Sequence, residues 1–560
     1  MGEDNYWRRF ASKRFSRRRL INGSLAAGAG LAAAAAVGCG GGDDDEEPES
    51  PEESGEEAAD TPPAEPRGTF VSVYYSLDTL DPYAGLFNYQ GMLSGISMWN
   101  SLVTVSPSAD DEPFATELQP ELAETLPEQP DDLTYIFKLR PDVKFHDKEP
   151  VNGRTLDAED VVLSMQKAAD FATDFFVGDV KLQIESARAI DDNTVEIKTK
   201  SPYVGFLVNF GDPVWFPIVA KEVLDEAADN PIGTGPYMLD KVEPGVRVRL
   251  VGNPNYFDPS VGHYEAHEHQ MSDDPADWVA RVVAGEVDYM RYPPFGGGDA
   301  VRQGNGDIEV VEFLRDLQFY YLLNNNQTPL EDQRVRQALA LALPSHDEII
   351  AAAFEGTGLS HGVIPSTNEF AVDIDELPYV NKQDIEMSKQ LLEAAGHPDG
   401  FQLETIASAD YHQASDANLL IADAFGKIGV TVNRTDVPYA AEAAAQTSGD
   451  YTTDILWAFR SNDADRYLSI YLPNHPLGGT AGWGNDEISK LIDDQRGEFD
   501  PESRREILRN LQLALAEQQY ILYLPTPGDT EFHRKSTRNW RTSTIEWGTL
   551  RWATLNSFAT

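Results

Sequence analysis

The chain has 560 residues, too many for one hydrophobic core, and its 41% apolar content with 9 Trp, 22 Tyr and 25 Phe suffices for two or more domains and an aromatic-lined cleft. With 44 Lys+Arg against 93 Asp+Glu the formal net charge is −49, which excludes a nucleic-acid partner, because phosphates require a basic surface. The single cysteine, Cys39, excludes an internal disulfide.

Residues 8 to 19 are basic, and Ser16-Arg17-Arg18-Arg19-Leu20-Ile21 resembles a twin-arginine export motif. Leu25 to Val37 is an Ala-rich apolar stretch too short for an ordinary membrane span. Ala36-Val37-Gly38-Cys39 then resembles a lipobox, with Ala36 where Leu is commoner. The pattern predicts a signal peptide over 1–38, lipidation of Cys39, and anchoring to the outer face of the cytoplasmic membrane through that lipid. Residues 39–66 are small and acidic and hold no aromatic, so they read as a disordered tether. No other stretch approaches 18 consecutive apolar residues.

Thr69 to Tyr75 reads as an opening strand. In Asp132 to Ala168, Tyr135, Phe137 and Leu139 alternate with Thr134, Ile136 and Lys138, which predicts a strand stopped by Pro141. A polar loop through Pro150, Asn152 and Gly153 follows. Asp157 stands where an N-cap belongs, before a helix whose apolar stripe is Val161, Val162 and Met165. Val195 to Thr199 is a further alternating strand. Glu309 to Asn325 reads as one long strand-like run with Phe319, Tyr321 and Leu323 on one face. Asp332 to Ala342 predicts an amphipathic helix, and Glu386 to Gly396 another, with Gly396 at its C-terminus. Arg505 to Leu524 reads as a long helix leading into Ile521-Leu522-Tyr523-Leu524-Pro525.

The ordered segment FKLRPDVKFHD, loop, DAEDVVLSM resembles the signature of the family 5 extracellular solute-binding proteins, the peptide- and nickel-type receptors of ABC importers. Lys148 departs from it, standing where the family usually has Gly. Leu80-Asp81-Pro82, Met98 to Val105, Pro120 to Ala123, Gly233-Thr234-Gly235-Pro236-Tyr237, Asn253 to Tyr256, and Asp332 to Ala342 continue the resemblance, which runs from about 69 to 525. It implies an α/β, two-lobed periplasmic-binding-protein-like fold with a hinge of two crossing strands. Lobe I would hold 67–315, with a subdomain at about 111–230. Lobe II would hold 316–522, and 523–560 would return to lobe I. It implies hinge closure of a monomer on a peptide-like solute, delivered to an ABC permease and its ATPase subunits. No P-loop is present, so ATP hydrolysis belongs to those partners.

Within Tyr451 to Tyr467, Trp457 matches a tryptophan that stacks over bound main chain in the family's peptide receptors. Three residues later those receptors carry an Asp that pairs with the peptide's amino terminus, and here Arg460 stands there. A guanidinium favours a carboxylate or phosphate over an ammonium. Asp463 and Asp465 are the nearby candidates for the amine role, and Asp463 or Asp454 are internal partners for Arg460. Tyr439 and Tyr89 resemble cleft-lining positions. A non-peptide solute therefore stays open: an opine, a metal chelate, an oligosaccharide or another small anion.

Two other classes compete. Gly358-Leu359-Ser360-His361-Gly362 satisfies G-x-S-x-G, which would make Ser360 a hydrolase nucleophile given a strand before it and a helix after it. A sensor or scaffold of the same fold is the other. His263, His267 and His269, with Glu265 or Glu268, could coordinate a metal, but the alternation along residues 262–270 reads instead as a strand with His267 and His269 on one face; the expectation is no metal, no cofactor and no enzyme.

Overall fold

The computed structural model describes residues 66–75, 77, 79–83, 95–107, 116–170, 183–211, 216–291, 293–294, 296–314, 317–408, 412–458, 463–542 and 557–559. Two central sheets organise the chain. The first has eight strands, ordered Ile308–Leu314, Thr526–Arg534, Tyr289–Arg291, Thr69–Tyr74, Ala266–Met271, Arg247–Gly252 and Tyr237–Glu243, with Gly358–Leu359 added beside Thr526–Arg534. The second has five, ordered Thr431–Val437, Gln402–Ser408, Thr453–Ala458, Gln318–Leu323 and Ile521–Leu524. The chain passes from the first sheet to the second between Leu314 and Gln318, and back between Leu524 and Thr526.

The signature strand forms as its alternation dictates. Thr134–Lys138 buries Tyr135 and Phe137 completely and pairs antiparallel with Thr194–Thr199. Asp157 accepts from the backbone N–H groups of Glu159 and Asp160 at 3.0 and 3.2 Å, which starts the helix Ala158–Asp170. Lys148 donates from its ammonium to the Leu239 carbonyl, tying the loop to Tyr237–Glu243.

The Gly233-Thr234-Gly235 motif has a steric reason. A Cβ at Gly233 would collide with the Met98 carbonyl, and one at Gly235 with the Ser97 carbonyl. That close approach lets Thr234 donate to Asn100 Oδ1 at 2.9 Å. It also seats buried His146 between the two glycines. Gly233 N–H donates to its Nδ1 at 3.2 Å, and its Nε2 donates to the Gly235 carbonyl at 3.1 Å. The signature segment, residues 97–100 and the motif are thus one packed unit.

Elsewhere the structure departs from sequence pattern. The Glu309 to Asn325 run is two strands in different sheets. In Gln318–Leu323 both faces are buried: Tyr320 and Leu322 enter one apolar cluster, Phe319, Tyr321 and Leu323 another. An interior strand between two packed layers loses its alternation. Helix Gln333–Ala342 is buried from Val335 to Ala342, not on one stripe. Its Arg336 and Gln337 are accommodated because they donate to the Gln518 and Glu517 carbonyls at the end of helix Pro501–Gln518, at 3.1 and 2.9 Å. Ser345, after the helix-ending Leu343-Pro344, builds a capping box with Glu348 and starts the helix His346–Ala353.

Candidate functional site

Leu317 and Thr526 bracket the two crossings, and a segment of the second lobe braces both. Thr526 donates to the Leu317 carbonyl at 2.5 Å and lies 3.0 Å from His361 Nε2. Because that hydroxyl proton is used on Leu317, the imidazole is the donor in the second bond. Gln318 donates to the Gly362 and Val363 carbonyls at 3.2 and 2.5 Å. Gly358–Leu359 pairs with Thr526 and Pro527. The hinge is therefore two covalent crossings plus a hydrogen-bonded brace.

Ser360 lies in that brace. Its hydroxyl donates to His346 Nδ1 at 2.9 Å, the tautomer being set by His346 Nε2, which faces the Tyr523 carbonyl at 3.2 Å. Burial holds this imidazole down at about 4, well below a working general base near neutral pH. A nucleophile elbow needs a strand, a sharp turn and a helix. Here a two-residue strand precedes Ser360, and the next helical turn begins only at Ile374. The geometry is that of a structural tie. His267 and His269 share the strand Ala266–Met271 and are both buried, with His269 Nδ1 2.7 Å from Ser72 Oγ. His263 lies outside that strand, and among the described residues no group of three or more His, Cys, Asp or Glu is arranged to hold a metal.

Trp457 is in register with Phe319, two positions from Leu317, so it sits at the hinge end of strand Thr453–Ala458. Tyr439 opens the helix Tyr439–Ser448. That helix is fastened to the Trp457 strand by Gln446, which donates to Asp454 at 2.6 Å, and to the neighbouring strand Gln402–Ser408 by Glu442, which accepts from the Ser408 N–H at 2.7 Å. Burial first, then the neighbouring Glu442 carboxyl, pushes the Asp454 carboxyl well above its ordinary range. Arg460, Tyr89 and Cys39 lie outside the described residues.

Asp463, immediately after 459–462, is buried and accepts twice from buried Arg504, both at 2.8 Å. Asp465 accepts from Arg496 at 2.7 and 3.1 Å, from Gln495 at 2.6 Å, and from the Tyr203 hydroxyl at 2.7 Å. Gln495 joins the two pairs by accepting from Arg504 Nη2 at 2.7 Å. The two aspartates considered for the amine role are thus matched by internal cations. Sequence reasoning missed Tyr203, Gln495, Arg496 and Arg504. The available signal was weak: two arginines inside helical segments otherwise rich in exposed charge.

The chain matches the bacterial extracellular solute-binding proteins, family 5 Middle, over residues 117–477. It is 27% identical over 437 residues to the heme-binding protein A of Haemophilus influenzae, covering 72% of this chain and 78% of that one. It is 27% identical over 464 residues to the dipeptide-binding protein of Escherichia coli K12, covering 77% and 84%. Among solved structures, the periplasmic binding protein DppA of Helicobacter pylori with peptide STSA superposes with a TM-score of 0.76 at 20% identity, over 88% of this chain and 98% of that one. The binding protein AgaA of A. tumefacien R10 with agropinic acid gives 0.74 at 22% identity, over 88% and 99%. These neighbours share the two-lobed fold, with one lobe on each central sheet. With nearly two thirds of its length in the match, the chain belongs to the family 5 bacterial extracellular solute-binding proteins, the substrate-binding receptors of ABC importers.

Proposed function

We propose that the chain captures a peptide-like solute between its lobes, closes around it on the two crossings, and hands it to an ABC permease driven by separate ATPase subunits. The observation that carries the reading is the position of Trp457, on a strand paired to the crossing strand at its hinge end. An aromatic plane there is where closure desolvates a bound solute. Relatives named for dipeptide and glutathione binding support a peptide-like solute. Trp457, Arg460, Tyr439 and Tyr89 line the site in this reading, with Asp463 anchoring the loop through Arg504. The chain acts as a monomer, exported by its twin-arginine-type signal and held at the outer face of the membrane through lipidated Cys39, with residues 39–66 as the tether.

A second reading concerns the solute's charge. Asp463 and Asp454, the internal partners the sequence offers Arg460, are engaged by Arg504 and by Gln446 with Glu442. A guanidinium at position 460 would favour an anionic group of the solute, a peptide carboxylate or an opine acid. Calorimetric titration with a di- and tripeptide pool tests the first reading: binding is expected, and Trp457→Ala should weaken it roughly tenfold or more. Undiminished binding by the variant, or no binding of any peptide, would count against it.

A further inference from the structure

The turn before helix Phe206–Phe210 belongs to the first lobe and reaches the second. Its side chains belong to the first lobe's apolar core, where Tyr203 and Phe206 pack with Tyr135 and Phe210. Three of its groups meet the second lobe's buried ion cluster. The Tyr203 hydroxyl donates to Asp465 at 2.7 Å while accepting from Asn209 Nδ2 at 3.0 Å. The Val204 N–H donates to the Arg496 carbonyl at 2.8 Å. Gly205 lies so close to Asp463 that a Cβ there would stand 2.8 Å from its Oδ1. The Arg496 guanidinium also covers the Tyr203 ring, 5.4 Å from its centroid.

We infer that Tyr203, Val204 and Gly205 form the latch of the closed receptor, recognising the preassembled Asp463–Arg504 and Asp465–Arg496 pairs. The chemistry separates what is permanent from what must part. Both ion pairs and Gln495 lie within the second lobe, so opening leaves each of these four charges with its counter-ion. Among the described residues, the hydrogen bonds that Tyr203 and Val204 make across the gap come from a neutral hydroxyl and a backbone N–H, groups that water satisfies readily when the lobes separate. A salt bridge across the same gap would expose two desolvated charges at each cycle. In sequence, Asp463 follows residues 459–462 and Trp457 precedes them.

This inference rests on the receptor reading only in requiring that the lobes part to admit a solute. Tyr203→Phe keeps the ring in the core and removes the donor. Gly205→Ala keeps the donor and adds a methyl that would stand 2.8 Å from Asp463 Oδ1 across the gap and 3.2 Å from Asn209 Nδ2 within its own lobe. Hydrogen exchange resolved to the Val204 amide in the full chain reads the latch without any solute. Tyr203→Phe should speed that exchange by about tenfold, the effect of one hydrogen bond to a charged acceptor. Gly205→Ala should move it in the same direction, and the amides of Thr134–Lys138 and Gln318–Leu323 should stay as they were. Unchanged exchange at Val204 in Tyr203→Phe, an unprotected Val204 in the starting protein, or acceleration spread equally through both strands would overturn it. A non-peptide solute would leave the exchange result as expected, and failure at Val204 would leave the peptide reading standing.

Discussion

Replacing Arg504 by alanine should cost the second lobe about 3–5 kcal/mol, because the substitution strands the Asp463 carboxylate without its counter-ion in the interior. The side chain is fully buried, bonds both Asp463 oxygens and Gln495, and lies over the Phe370 ring at 5.1 Å. Removing Asp463 alone leaves the converse defect, an unpaired guanidinium. The double variant Arg504→Ala with Asp463→Ala should therefore lose much less than the sum of the single losses. Denaturant unfolding followed by a probe in the second lobe measures this cycle. A loss below about 1 kcal/mol for Arg504→Ala, the range of an exposed pair, would show that the cluster is open to water.

Acid should destabilise the protein steeply between pH 6.5 and about 4. Burial holds His146, His269 and His346 down at about 4 and His361 at about 3, with the Gly235 carbonyl and the Tyr523 carbonyl only partly opposing it for His146 and His346. These imidazoles stay neutral in the fold and become protonated on unfolding once the pH falls below their ordinary value near 6.5. The unfolded chain then binds more protons than the folded one, so stability rises with pH in that window and is lost as pH falls through it. Four such groups give a slope on the order of 5 kcal/mol per pH unit at its steepest. The buried carboxyls of Asp454 and Glu531, both pushed upward by burial, act in the opposite sense and moderate the slope. Calorimetric unfolding from pH 7 to pH 4 tests this; a flat transition temperature from 6.5 to 4.5 would contradict the dry environments assigned to these rings.

Local pattern carried much of the architecture. The alternation of Tyr135 and Phe137, the Asp157 cap and the glycine pair at 233 and 235 each encode a local requirement that the fold meets. Pattern misled where burial is two-sided. The face shared by Phe319, Tyr321 and Leu323 holds, but the opposite face of Gln318–Leu323 is buried as well, and the helix read as amphipathic buries Arg336 and Gln337 because carbonyls at the end of a distant helix satisfy them. The site was less legible because its ties are long-range. Tyr203 finds Asp465 across 262 positions, and Asp463 finds Arg504 across 41. Nothing in Asn462-Asp463-Ala464-Asp465 distinguishes an aspartate facing a solute from one facing an arginine behind it. Trp457 is assigned by family resemblance, and its backbone pairs in register with Phe319 of the crossing strand.

The central claim is capture of a peptide-like solute between the lobes, and native mass spectrometry of the full chain, before and after mild unfolding, tests it most directly. A receptor that closes on its solute retains it through purification. The expected result is a bound mass lost on unfolding, with the released species forming a ladder of short peptides. A single defined non-peptide species would contradict the peptide assignment and make Arg460 the reader of its charge, and a chain that neither carries nor acquires any small molecule would contradict capture itself.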